Sequence, residues 1–236
     1  TGSENTAIGY NALTTNTSGT PNIAIGNYAL EANTTGATNI ALGLSSLKTN
    51  TTGSNNLAIG QNALRLNTTG ARNTAIGISA NDLADTENDN IAIGFEAMTA
   101  QIAGGELNLA VGNYALDALT SGDYNVALGH GTLTANTTGA TNTAIGNSAL
   151  EDNTTGSDNT AIGGYALATN TTADANTAIG RRAMQLNTTG TNNVALGYEA
   201  LKTNTTANNN TAIGAYSLQV NTTGAQCTAV GQSSMQ

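Results

Sequence analysis

The chain reads as an all-β protein, a parallel β-solenoid (β-roll) of fourteen coils of about 17 residues, and three features carry that expectation. An Ala-(Ile/Leu/Val)-Gly triplet returns fourteen times at a near-constant step, the residues around it alternate with period two, and Asn-Thr-Thr-Gly turn chemistry separates successive copies.

The glycine of the triplet falls at Gly9, Gly26, Gly43, Gly60, Gly77, Gly94, Gly112, Gly129, Gly146, Gly163, Gly180, Gly197, Gly214 and Gly231. Every step is 17 residues except one of 18, from Gly94 to Gly112. A full unit, such as Asn142 to Asp158, reads Asn-Thr-Ala-Ile-Gly-x-x-Ala-Leu-x-x-Asn-Thr-Thr-Gly-x-x. Its β-branched, period-two opening predicts a short strand, its Ala-Leu portion a second strand, and its Asn-Thr-Thr-Gly portion a turn, because Gly and Asn tolerate positive φ. A helix is excluded: Gly closes each apolar run, β-branched residues fill it, and no 3.6-residue period survives.

Alternation assigns faces. Thr6 and Ile8 point one way, Ala7 and Gly9 the other. The slots of Thr6 and Ile8, with that of Leu13, are expected to form the interior. The opposite face holds Ala in all fourteen copies, from Ala7 to Ala229. Invariant Ala beside invariant Gly suggests that another backbone approaches closely, which predicts a subunit interface along this stripe; the alternative is that Ala simply fits a tight coil. Three modest interior side chains per coil bury little against an ordering cost of about 1.5 kcal/mol per residue, so self-association is expected. The Asn that opens each strand, from Asn5 to Asn210, is expected to stack as an amide ladder, with Cys227 filling the fourteenth slot.

Composition narrows the function. Six basic and fifteen acidic residues give a net charge of −9, without the Lys/Arg cluster that nucleic-acid binding needs. No apolar run approaches the ~20 residues that span a bilayer. Cys227 is the only cysteine and His130 the only histidine. They lie almost six coils apart, ~27 Å at one strand spacing per coil, too far for a dyad within one chain. Zinc-ligand spacing and a phosphate-binding Gly-rich loop with its lysine are both missing from the sequence. The expectation is no enzyme, no metal site and no cofactor.

The Asn-Thr-Ala-Ile-Gly motif followed by Ala-Leu resembles the head repeats of YadA-like trimeric autotransporter adhesins, and similar repeats occur in phage tail fibres. The resemblance covers the entire chain. It implies a left-handed β-roll, three chains around a common axis, an extracellular location on a cell surface or virion fibre, and binding to a host-surface protein or glycan. The 17-residue unit with its long Asn-Thr-Thr-Gly turn departs from the usual adhesin head. The whole of residues 1–236 is expected to be one repeat array, a segment of a longer fibre without caps or anchor.

Several features stand outside the repeat. The array is irregular over 78–108: Asn81 replaces the expected Leu, with Leu83 expected to substitute for it two residues later. The turn becomes Ala84-Asp85-Thr86, and Gln101 to Glu106 carries the extra residue. Asp82, Asp85, Glu87 and Asp89 gather there, as a solvated turn or as oxygen ligands for Ca²⁺, although the spacing lacks the Gly and terminal Glu of a calcium loop. Tyr28, Tyr114, Tyr165 and Tyr216 share the slot two residues after the Gly, where a ring packs on the corner or stacks on a sugar or protein partner. Ten turns, beginning at Asn16, Asn33, Asn50, Asn67, Asn136, Asn153, Asn170, Asn187, Asn204 and Asn221, match the N-glycosylation pattern, which turn chemistry also explains.

The leading functional expectation is a structural or adhesive segment of an extracellular trimeric fibre. The alternatives are a filament of single-chain solenoids stacked end to end and, more weakly, ice binding through a Thr column.

Overall fold

The computed structural model of the protein describes residues 2–100 and 104–235. It divides into two compact units, Thr1–Ser121 and Gly122–Gln236. The first holds β1 (Thr6–Ile8), β2 (Ile23–Ile25), β3 (Ile40–Leu42), β4 (Leu57–Ile59), β5 (Thr74–Ile76), β6 (Ile91–Ile93) and β7 (Leu109–Val111). The second holds β8 (Val126–Leu128), β9 (Thr143–Ile145), β10 (Thr160–Ile162), β11 (Thr177–Ile179), β12 (Val194–Leu196), β13 (Thr211–Ile213) and β14 (Thr228–Val230). No helix occurs among the described residues.

Within each unit every strand pairs in parallel with the next in sequence, Ala opposite Ala, so the fold is the expected parallel β-solenoid. The 18-residue step leaves the ladder undisturbed, since Ile91 still faces Leu109 and Ala92 faces Ala110. The extra residue is therefore absorbed before β7; Gln101, Ile102 and Ala103 of that segment lie outside the described residues. A strand-ending glycine is required because its φ runs from 121° to 143° and the next coil is close: a Cβ on Gly146 would lie 2.7 Å from the carbonyl carbon of Gly163.

The faces are the reverse of the sequence expectation. The central Ala of each strand points inward, and from β2 to β13 it is fully buried. The residues on either side of it, the slots of Thr6 and Ile8, point outward and are half-buried or exposed. The Ala stripe is therefore no subunit interface. A three-residue strand aims one side chain inward and two outward, and the interior is already filled by the Leu13-slot residues, fully buried at Leu30, Leu64, Met98 and Leu150. Only a methyl fits beside them, so the invariant Ala reports interior space. The assignment of the Leu13 slot to the core holds.

The Ala-Leu portion is turn, not a second strand. The second and fourth residues after the glycine are left-handed; Leu, Met or Asn at the fourth takes φ between 47° and 55°. Such a φ is unfavourable for a bulky side chain in isolation. It is held here because it turns Leu into the core.

The Asn that opens each strand does form a column, but mainly a side-chain-to-backbone one. The backbone N–H of Asn39 donates to Asn22 Oδ1 at 2.9 Å and its Nδ2 donates to the Gly53 carbonyl at 2.8 Å. The same pair of bonds recurs at Asn56 and Asn159. Cys227 keeps the backbone half, donating from its N–H to Asn210 Oδ1 at 2.9 Å. Longer amide-to-amide bonds join this column as expected, as from Asn159 Nδ2 to Asn142 Oδ1 at 3.2 Å, and a second, closer amide ladder runs through the turn asparagines: Asn50 Nδ2 donates to Asn33 Oδ1 at 2.9 Å and to the Gly53 carbonyl at 3.0 Å.

Candidate functional site

Among the described residues the outward face of the strands stays half-buried or exposed throughout. Its two columns hold only Ile, Leu, Val and Thr in all fourteen strands, with no charge. In the first unit both columns are mostly aliphatic; in the second, one is mostly Thr and the other aliphatic. Ile23, Ile25, Ile91 and Ile213 are each 38 % exposed. Isolated exposed aliphatics are normal, but within each unit one column is aliphatic at every strand, and such a run marks an interaction surface. Beside it a groove of about 160 Å³ is lined by Pro21, Ile23, Thr38, Asn39 and Ile40.

A second outward side flanks the turn asparagines. Asn points in, and the residues before and after it point out. The following Thr ties its hydroxyl to the next coil, as Thr34 Oγ1 does to the Thr51 carbonyl at 2.9 Å. Seven turn asparagines, Asn33, Asn50, Asn67, Asn153, Asn170, Asn187 and Asn204, donate both to the preceding Asn and to a carbonyl three residues on. All seven are fully buried. Turn chemistry thus accounts for these residues, and a glycan on their Nδ2 atoms would break the ladder.

The irregular coil separates the residues that the sequence grouped. Asn81 takes the core position of the missing Leu, fully buried, with neither end of its amide hydrogen-bonded. Leu83 does not replace it. It lies half-buried on the outward side of the coil and lines a groove of about 290 Å³ with Thr49, Leu66, Thr68 and Asp85. The four acids have separate partners. Asp82 pairs with Arg65 at 2.7 Å, Asp89 with Arg72 at 2.6 Å, and Asp85 accepts from the Thr68 hydroxyl. Glu87 accepts from the backbone N–H groups of Asp85 and Thr86, replacing the turn Asn lost to Ala84. The hydrogen bond from Arg72 holds the Asp89 carboxyl below its usual range against a small burial effect. Among the described residues no three His, Cys, Asp or Glu side chains are placed to share a metal ion.

The tyrosine slot gains partners that sequence reasoning missed. Tyr28, Tyr114 and Tyr216 each pack edge-to-face on a ring one coil earlier, namely Tyr10 (5.4 Å), Phe95 (5.6 Å) and Tyr198 (5.3 Å). These earlier rings sit one residue after the glycine, so an offset of 18 or 19 residues was the signal to seek. Lys48 Nζ lies 5.0 Å from the Tyr28 ring centre. No family model and no curated protein matches this chain.

Proposed function

We propose that the chain is a non-catalytic structural or adhesive segment of an extracellular fibre, built by lateral association of identical chains through the outward strand face. The observation that supports this is the uncharged outward face, which carries an aliphatic residue in one column at every strand, Thr or an aliphatic in the other, and stays half-buried or exposed among the described residues. A periodic face is self-complementary along its length, because any contact made at one coil recurs at the next. Burying it removes apolar area from water at roughly 25 cal/mol per Å². Three chains around a common axis, the arrangement implied by the adhesin-like repeats, would cover one such face on each chain. An end-to-end filament of single chains would leave it in water.

Light scattering tests the reading. The wild-type segment is expected to be an oligomer, most simply three chains, and Ile145→Lys with Ile162→Lys to release folded monomers with unchanged β circular dichroism. A wild type that is a folded monomer at micromolar concentration overturns the proposal.

A further inference from the structure

The three aromatic pairs are parts of a larger constellation that recurs. Six of the eight aromatic residues belong to them, always one residue after the glycine in one coil and two after it in the next. Two polar slots accompany each pair: the second residue after the glycine in the first coil and the fifth in the second. Asn11 Nδ2 donates to Glu31 Oε1 at 3.3 Å beside Tyr10 and Tyr28. Gln219 Nε2 donates to Glu199 Oε2 at 2.7 Å beside Tyr198 and Tyr216. Glu96 and Asp117 fill the same slots beside Phe95 and Tyr114. Lys48 and Lys202 add an ammonium group to the first and third sets, 3.7 Å from Glu31 and 3.1 Å from Glu199.

The rings are not needed to close the coil. Coils that carry Leu44 and Ser45, or Gln61 and Asn62, in the first two slots fold identically. Tyr10 is 64 % exposed, Tyr198 37 % and Tyr114 36 %. An exposed ring rimmed by polar groups suits a sugar ring: its C–H face packs on the aromatic, and its hydroxyls donate to the half-buried carboxylates of Glu31, Glu96 and Asp117 or accept from Asn11, Gln219 and the two ammonium groups, while Glu199, buried and held by Arg182 and Lys202, orients Gln219. A carboxylate in every set and a net charge of −9 disfavour polyanionic glycans.

We propose that each aromatic pair with its two polar slots, Tyr10/Tyr28 with Asn11 and Glu31, Phe95/Tyr114 with Glu96 and Asp117, and Tyr198/Tyr216 with Glu199 and Gln219, is a binding site for neutral polysaccharide. The inference deepens the surface-fibre reading, on which its biological setting rests. In the first unit the two sites lie five coils apart, ~24 Å at one strand spacing per coil, so one polymer chain can engage both and gain avidity.

Native gel electrophoresis through hydroxyethyl cellulose, galactomannan or starch tests it. The wild type is retarded in at least one neutral matrix. Replacing all six rings by Leu, which keeps apolar bulk, weakens retention at least tenfold; each pair replaced alone weakens it less, and Tyr124→Leu, at an exposed ring outside the three pairs, leaves it unchanged. If the sixfold variant loses its β circular dichroism, the three twofold variants supply the comparison. A wild type unretarded in all three matrices, or folded ring variants retained like the wild type, overturns the proposal. Light scattering on the same samples separates the two readings. A monomer that binds polysaccharide defeats the associated fibre alone, and an oligomer that binds none defeats the sites alone.

Discussion

Asn170 donates one Nδ2 hydrogen to Asn153 Oδ1 at 2.9 Å and the other to the Ala173 carbonyl at 3.0 Å, while its own Oδ1 accepts from Asn187 at 3.0 Å. Three bonds converge on one buried amide. Asn170→Ala removes all three and strands Asn153 Oδ1 and a hydrogen of Asn187 away from water. At about 1–3 kcal/mol for each stranded group, the expected loss is about 3 kcal/mol. Urea unfolding measures it. The same geometry predicts that folded protein secreted by a glycosylating host carries no glycan on Asn170, which mass spectrometry of the Asp158–Ala173 peptide, released by cleavage before aspartate, reads directly.

Asn81 offers the opposite case. It interrupts the column of Leu47, Leu64 and Met98 with an amide that meets no partner. Its φ of 49° matches that of Leu47, so the backbone there already suits the leucine seen in neighbouring coils, at a small cost because asparagine tolerates a left-handed φ better. Asn81→Leu should stabilise the first unit by about 2 kcal/mol, from relieved desolvation and restored apolar burial. A thermal midpoint equal to or below the wild type would contradict this account of the column.

Adjacent residues of β10 should differ sharply. Ala161 is fully buried between Ala144 and Ala178, and Ala161→Leu forces extra carbons into a filled interior at a cost of about 1–3 kcal/mol or more. Ile162→Thr places on the outward face a residue that the other outward column of β10 already carries at Thr160, and chain stability should change by less than about 1 kcal/mol. Denaturant midpoints of the two variants, measured at a concentration that keeps the chain dissociated, distinguish the inward from the outward column.

Two acids should respond to pH with opposite signs. Burial, with the charge of Glu96, raises the Asp117 carboxyl above its usual range, though a hydrogen bond to its backbone opposes this. The folded state therefore holds that proton more readily, and the penalty for ionisation is present at neutral pH and fades as pH falls through the raised pKa. Asp117→Asn should stabilise at pH 7 by about 0.5 kcal/mol, since the group is partly screened by solvent, with the difference closing on acidification. For Glu199, burial alone would raise the pKa, but hydrogen bonds from Lys202, Arg182 and Tyr198 outweigh it and hold the carboxyl below its usual range. Its contribution is present above the unfolded pKa and lost as pH falls through the folded one. Glu199→Gln should therefore destabilise at pH 7 and differ little from wild type in acid. Thermal melts between pH 3 and 7 check both signs.

The sequence alone determined the coil. A 17-residue return of Ala-(Ile/Leu/Val)-Gly admits few other folds, because a fixed step that matches one circuit of backbone stacks each strand on its own copy and brings Ala24 to Ala41 and Asn22 to Asn39. It also marked the Leu13 slot as core. What only the tertiary structure decided was which way the strand faces. Period-two alternation separates Ala161 from Thr160 and Ile162 but carries no sign, and the rule that larger apolar residues go inside chose wrongly. The sign is set by closure: the left-handed turn aims Leu150 and Leu167 into an interior so narrow that only a methyl fits opposite. The same closure adds a second amide ladder at the turn asparagines, sets Asn81 in a core position and packs Tyr28 against Tyr10, none of which a linear pattern encodes. The isoleucines that look like a core are left on the surface, where another chain can cover them.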